Sequence, residues 1–158
     1  MKARAVMVLV SGLLFCGGVL AQLPVAPAGT DPRQAVEAVA SDFQRAMGEG
    51  YAEGVVRHLA PEVVIFEGGE VVAASGGAYI RGSLQADLRY AATVRRQLVH
   101  RKTTVSGEMA VVMSQTRNQG TFEGRAINLM RTETLVLRWI EGAWKIIHIH
   151  WSGYEPPP

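Results

Sequence analysis

The stretch ETLVLRWIEGAWKIIHIHWS, residues 133–152, decides how this chain is read. Glu141-Gly142 separates two runs rich in β-branched and aromatic residues, and a two-residue connection carrying Gly reads as a tight turn between antiparallel strands. The second run holds His148-Ile149-His150 between Trp144 and Trp151. Side chains alternate across a strand, so Trp144, Ile146, His148, His150 and Ser152 are expected on one face, and Lys145, Ile147, Ile149 and Trp151 on the other. Residues two apart on a strand can share a metal ion. Here no third ligand is evident: His58 and His100 fall in other elements, and the only acid downstream is Glu155, in a Pro-rich tail. The reading is a pair of hydrogen-bonded histidines, with no metal and no cofactor.

Working outward, the segments at about 93–105, 109–120, 125–140 and 143–152 read as long strands, and Pro156 to Pro158 keep the tail from 153 out of any sheet. Upstream, Asp31-Pro32 is a helix start, with Asp31 as cap and Pro32 at the first helical position. Val36, Val39, Phe43 and Met47 follow at helical spacing, and Gly48 and Gly50 end the helix. A shorter helix is expected from about Tyr51 to Leu59, stopped by Pro61, then a strand at Val63 to Phe66 and a short return at Glu70 to Ala74. A helix with a stripe at Tyr79, Ile80, Leu84 and Leu88 should cover about 75–92, weakened in its middle by Gly82. Helices first and antiparallel strands afterwards define an α+β class.

The chain has 158 residues, and the first 21 read as a secretory signal. Lys2 and Arg4 precede an apolar run from Ala5 to Leu20, and Val19-Leu20-Ala21 is a small-residue cleavage pattern. The uncharged run is just short of the roughly 18–20 residues of a spanning helix, and Phe15 before Cys16 does not suit a lipid-attachment site. Expected on this basis are a periplasmic or secreted location and no stable membrane insertion after cleavage. Residues 22–30 (QLPVAPAGT) form a Pro-rich spacer, and one domain spans 31–152. Cleavage also removes Cys16, the only cysteine, and so any disulfide or thiolate chemistry. Without Lys2 and Arg4, 14 basic side chains balance 14 acidic ones, which gives no case for nucleic acid.

The element order resembles the nuclear transport factor 2-like superfamily, in particular its SnoaL-like branch and the association (hub) domain of calcium/calmodulin-dependent protein kinase II. The residues that carry the likeness are Glu133-Thr134-Leu135-Val136, then Gly142-Ala143-Trp144-Lys145-Ile146 through His148, His150 and Ser152. His58-Leu59-Ala60-Pro61-Glu62-Val63-Val64, Phe66-Glu67-Gly68-Gly69 and Ala78-Tyr79 add to it. The resemblance implies a curved antiparallel sheet wrapped on N-terminal helices, a cone-shaped barrel with a pocket, and a homodimer formed through the other sheet face. Relatives use the pocket for isomerase, cyclase or dehydratase chemistry, or only bind or assemble, so the fold leaves function open.

By the same likeness the pocket should be lined by Tyr79, Met113, Gln115, Arg117, Arg131, Glu133, Leu135 and Trp151. An apolar cavity with few polar groups suits a small, largely apolar molecule. A carboxylate at Glu133, harder to ionise in such surroundings, suits a general base, and Tyr79 could donate to a developing oxyanion. Arg117 or Arg131 could hold an anionic group. The bland alternative for Glu133 is an ion pair with Arg131, and for Glu67 a solvated turn. Three functions stay open: a binding protein, a cofactor-free isomerase or dehydratase, and an assembly module. One register is also open. If Glu123-Gly124 is a two-residue hairpin turn, Gln115 pairs with Thr132, and Arg131 does not share its face.

Overall fold

The computed structural model describes residues 31–157; the expected signal and the whole spacer lie outside them. Helix α1 spans Pro32–Gly48, with the Asp31 side chain accepting from the Arg33 amide at 2.9 Å. Val36, Ala40, Phe43, Ala46 and Met47 form its buried stripe. Helix α2 is shorter than the sequence suggests, Ala52–Val56, because Leu59 already opens strand β1, Leu59–Glu67. Pro61 therefore sits in a strand rather than ending a helix, and Tyr51 is half exposed. Strand β2 (Glu70–Ala73) pairs back on β1. The expected third helix is two, α3 Gly76–Arg81 and α4 Leu84–Thr93, broken at Gly82. A Cβ at Gly82 would meet the Ala78 carbonyl at 2.9 Å, and the break turns Ile80 out to solvent.

Four long strands follow: β3 Val94–Ser106, β4 Met109–Phe122, β5 Arg125–Ile140 and β6 Ala143–Tyr154. The α+β class and the curved sheet on N-terminal helices hold, with two differences. The six strands run in the order β2-β1-β6-β5-β4-β3, and β1 joins β6 in parallel, so the sheet is mixed. It also stays open, with β2 and β3 as its edges. The core lies between the inner sheet face and the helices. Phe43, Val36, Tyr79 and Leu84 meet Val63, Ile65, Val112, Leu135, Leu137 and Ile149 there.

Two register features decide which side chains reach the inside. Glu123 and Gly124 both have positive φ, 48° and 77°, and close a two-residue turn that pairs Phe122 with Arg125 and Gln115 with Thr132. The inner positions of β4 are therefore Ala110, Val112, Ser114, Thr116 and Asn118, all buried. The second feature is a bulge in β6. Leu137 pairs with Ile146, but Val136 pairs with His148, so Ile147 is an extra residue. The bulge shifts the alternation by one. Trp144 and Ile146 are buried on the same inner face as Ile149 and Trp151, not beside the histidines as the uninterrupted pattern suggests. Trp144 meets Trp139 edge-on across the last hairpin, ring centroids 5.5 Å apart.

Gly120 marks where the start of β3 crosses closely over β4. A Cβ there would stand 2.4 Å from the Thr93 carbonyl oxygen and 2.9 Å from the Val94 Cα, both backbone. Gly120→Ala should cost about 1–3 kcal/mol in urea unfolding, the usual cost of overpacking. Gly48→Ala, with nothing within 4 Å, should change stability by less than about 1 kcal/mol. Equal effects would mean that the crossing is not close-packed.

Candidate functional site

A cavity of about 420 Å³ opens between α1, α4 and the inner sheet face. Its lining includes Glu133, Arg96, Trp151, Arg131, Glu67 and Asp87. Glu133 is the organising group. It lies in β5 opposite Ser114 on one side and Trp151 on the other, and is 6% exposed. Trp151 Nε1 donates to Oε2 at 2.9 Å, Gln44 Nε2 of α1 donates to the same oxygen, and Arg96 Nη2 of β3 reaches Oε1 at 3.2 Å. A buried carboxylate is tolerated when a charge partner and hydrogen bonds replace lost water. All three donors come from different elements, so one side chain ties α1, β3 and β6 to β5.

Glu133 is thus not the isolated carboxylate that a general base would require, and its ionic partner is Arg96 rather than Arg131. Arg131 pairs instead with Glu67 and stands 5.7 Å over the Tyr90 ring. Burial lowers the Arg96 pKa from its ordinary value, and Glu133 opposes that shift. Among the described hydrogen bonds Arg96 makes only the one to Glu133. A guanidinium has five N–H donors.

Of the residues expected in the pocket, Arg131, Glu133 and Trp151 line the cavity together. Leu135 is fully buried in the core beneath it. Met113, Gln115 and Arg117 project from the other face of the sheet, because the two-residue turn at Glu123-Gly124 fixes β4 one residue out of the register they need. Tyr79 is fully buried behind the cavity wall, where its hydroxyl donates to Asp87 Oδ2 at 2.9 Å. Burial pushes the Tyr79 hydroxyl far up, with Asp87 adding to the shift. The Asp87 carboxyl is raised from its ordinary value, first by burial and then by Glu67. The Tyr79 hydrogen bond, Arg131 and the nearby Ser83 hydroxyl pull it back.

Sequence reasoning missed Arg96, Asp87, Gln44, Thr116 and Asn118. Asp87 had one legible signal, an acid directly beside the buried Leu84 and Leu88 of a helical stripe. The histidine pair lies on the outer face. His148 Nδ1 is 2.9 Å from the Val64 carbonyl, its ring meets Phe66 edge-on, and His150 is exposed. Among the described residues no group of three or more His, Cys, Asp or Glu side chains is placed to hold a metal ion. Among them, too, no helix is long and apolar enough to cross a membrane.

The comparisons with known proteins agree with this architecture. The SnoaL-like domain model matches residues 36–155, and the chain belongs to that family. A solved structure described as a candidate ketosteroid isomerase from Shewanella frigidimarina is 34% identical, with a TM-score of 0.72 over 75% of this chain and 94% of that one. The calcium/calmodulin-dependent protein kinase II hub of S. rosetta shares the fold at 22% identity and a TM-score of 0.67, covering 80% of this chain and 99% of the hub. A candidate association domain of the same kinase from Xanthomonas campestris is 21% identical, with a TM-score of 0.65 over 83% and 93% of the two chains. No curated protein matches the sequence.

Glu133→Gln keeps the shape and removes the charge. It should lower unfolding stability by about 3 kcal/mol, toward the low end for a broken buried pair because Arg96 keeps partial solvent access. An unchanged denaturation midpoint would show that the carboxylate carries no structural load.

Proposed function

We propose that the protein is exported and that its cavity binds a compact organic anion, an apolar body with one charged, oxygen-bearing end. The observation that carries this reading is Arg96. Its guanidinium lines an open cavity of about 420 Å³, and a single described hydrogen bond leaves most of its donors for an incoming group. Trp151, Met47 and Val94 offer apolar surface to the rest of the molecule. The lining carries more charge than a site for a wholly apolar molecule needs, which is why an anionic end is included. The likeness to a candidate ketosteroid isomerase keeps isomerase-type turnover as a companion reading, with a proton-transfer group other than Glu133, which already accepts three hydrogen bonds. Export rests on residues 1–21, and the exported protein should begin at Gln22 on terminal sequencing.

Calorimetric titration with benzoate and benzenesulfonate tests the cavity. Both should bind, and Arg96→Leu should weaken them at least tenfold, a loss of about 1.4 kcal/mol. Arg96→Lys should retain part of the affinity. Failure of either anion to bind the unaltered protein would contradict the reading.

Self-association through the outer sheet face is the second proposal, supported by Phe66 and Met113, each 40% exposed. That face is less apolar than the sequence pattern implied, since Trp144 and Ile146 are inside. It also carries Lys102, Arg117, Arg138 and Lys145, with Glu62 on Arg138 as the described acidic partner. Two copies related by a two-fold axis would bring like charges together, and salt screens such repulsion. Sedimentation at micromolar protein should therefore show a dimer that tightens between low and moderate salt. A monomer at both, or a dimer that salt dissolves, would count against this face.

A further inference from the structure

We propose that the cavity binds its organic anion together with a proton, and that Asp87, held by Tyr79, is the residue that takes the proton. The inference rests on the cavity reading above and goes further, because it fixes the charge that the site accepts.

Three acids line the cavity, and two already have a cation. Glu133 is paired with Arg96, and Glu67 with Arg131. Asp87 makes no salt bridge among the described residues; its described partner is a neutral hydroxyl, Tyr79, at 2.9 Å. The groups facing it can be named from each side. Tyr79 comes from α3, Glu67 from β1 and Arg131 from β5, and Tyr90 lines the same cavity from Asp87's own helix. Arg131 is shared with Glu67, so the nearest cation is largely spent on another carboxylate. Burial and Glu67 hold the Asp87 carboxyl above its ordinary range. An anion arriving beside Arg96 adds a further negative charge to the same cavity. Like charges in one desolvated site raise the cost of ionisation, so bound anion and bound proton favour each other.

The sign follows from that coupling. Asp87 is neutral when the anion binds well, and its ionisation opposes binding. Affinity should be highest on the acid side and fall as the pH rises through the Asp87 pKa of the free protein. With one proton coupled, the limiting slope is tenfold per pH unit. The site therefore selects a monoanion over a dianion, and Asp87 is its specificity-determining residue.

Benzenesulfonate is the probe, because it stays charged across the range and any proton taken up belongs to the protein. Titration calorimetry in two buffers of different ionisation enthalpy should show net uptake of up to one proton, with affinity weakening as the pH rises. Asp87→Asn should bind with little pH dependence, and at pH 8 at least as tightly as the unaltered protein. Tyr79→Phe removes a donor that favours the ionised carboxylate, so it should carry the pH dependence to more alkaline values. Binding with no proton uptake, or the same pH dependence in Asp87→Asn, overturns this proposal and leaves the cavity reading intact. Absence of benzenesulfonate binding at every pH overturns both.

Discussion

The structure turns on a single buried carboxylate. Glu133 stands in the middle of β5, where its neighbours Leu135 and Leu137 are fully buried. Desolvating it costs several kcal/mol, and that cost is offset only because Gln44, Arg96 and Trp151 converge on its two oxygens. Each partner is brought by a separate element, so the arrangement works only when α1, β3 and β6 are all docked against β5. It also marks where the apolar core stops. Below Glu133 the inner face is Leu, Ile and Val; above it are Thr116, Asn118 and Arg131. The cavity begins where side chains no longer fill the curved sheet.

The bulge at Ile147 makes that geometry possible. Without the extra residue, Trp144 and Ile146 could not share the inner face with Ile149 and Trp151. Either the base of the core would lose its tryptophan, or Glu133 would lose its indole donor. The same bulge leaves His148 and His150 outside, where they border Phe66. One local irregularity thus decides which aromatic groups serve the cavity and which polar groups are left to the outer surface.

Much of this was legible in the sequence. The long strands, the Glu141-Gly142 turn and the Asp31-Pro32 helix start follow from periodicity and turn chemistry, and each stands within a residue or two of its expected place. Glu133 and Arg131 could be placed on one face because nothing interrupts β5 between positions 131 and 137, and the resemblance set Trp151 beside them. Two kinds of information were not legible. A bulge in WKIIHIHW carries no glycine or proline to announce it, and apolar residues at 146, 147 and 149 fit either phase. The register across Glu123-Gly124 depended on turn length, and one residue there exchanged Gln115 for Thr116 and Arg117 for Asn118. Arg96 and Asp87 were lost for a different reason. Each becomes a cavity residue only through tertiary packing, which local spacing does not encode.

Glu133 and its partners act as one unit that ties α1, β3 and β6 to β5. A double-mutant cycle on Glu133→Gln and Arg96→Gln, read by urea unfolding, tests it most directly. Coupled partners in a buried network should give an interaction energy of about 1–3 kcal/mol, with the double variant less destabilised than the two single changes summed. Additivity within about 0.5 kcal/mol would contradict the account, because independent sites behave that way and a shared clamp does not.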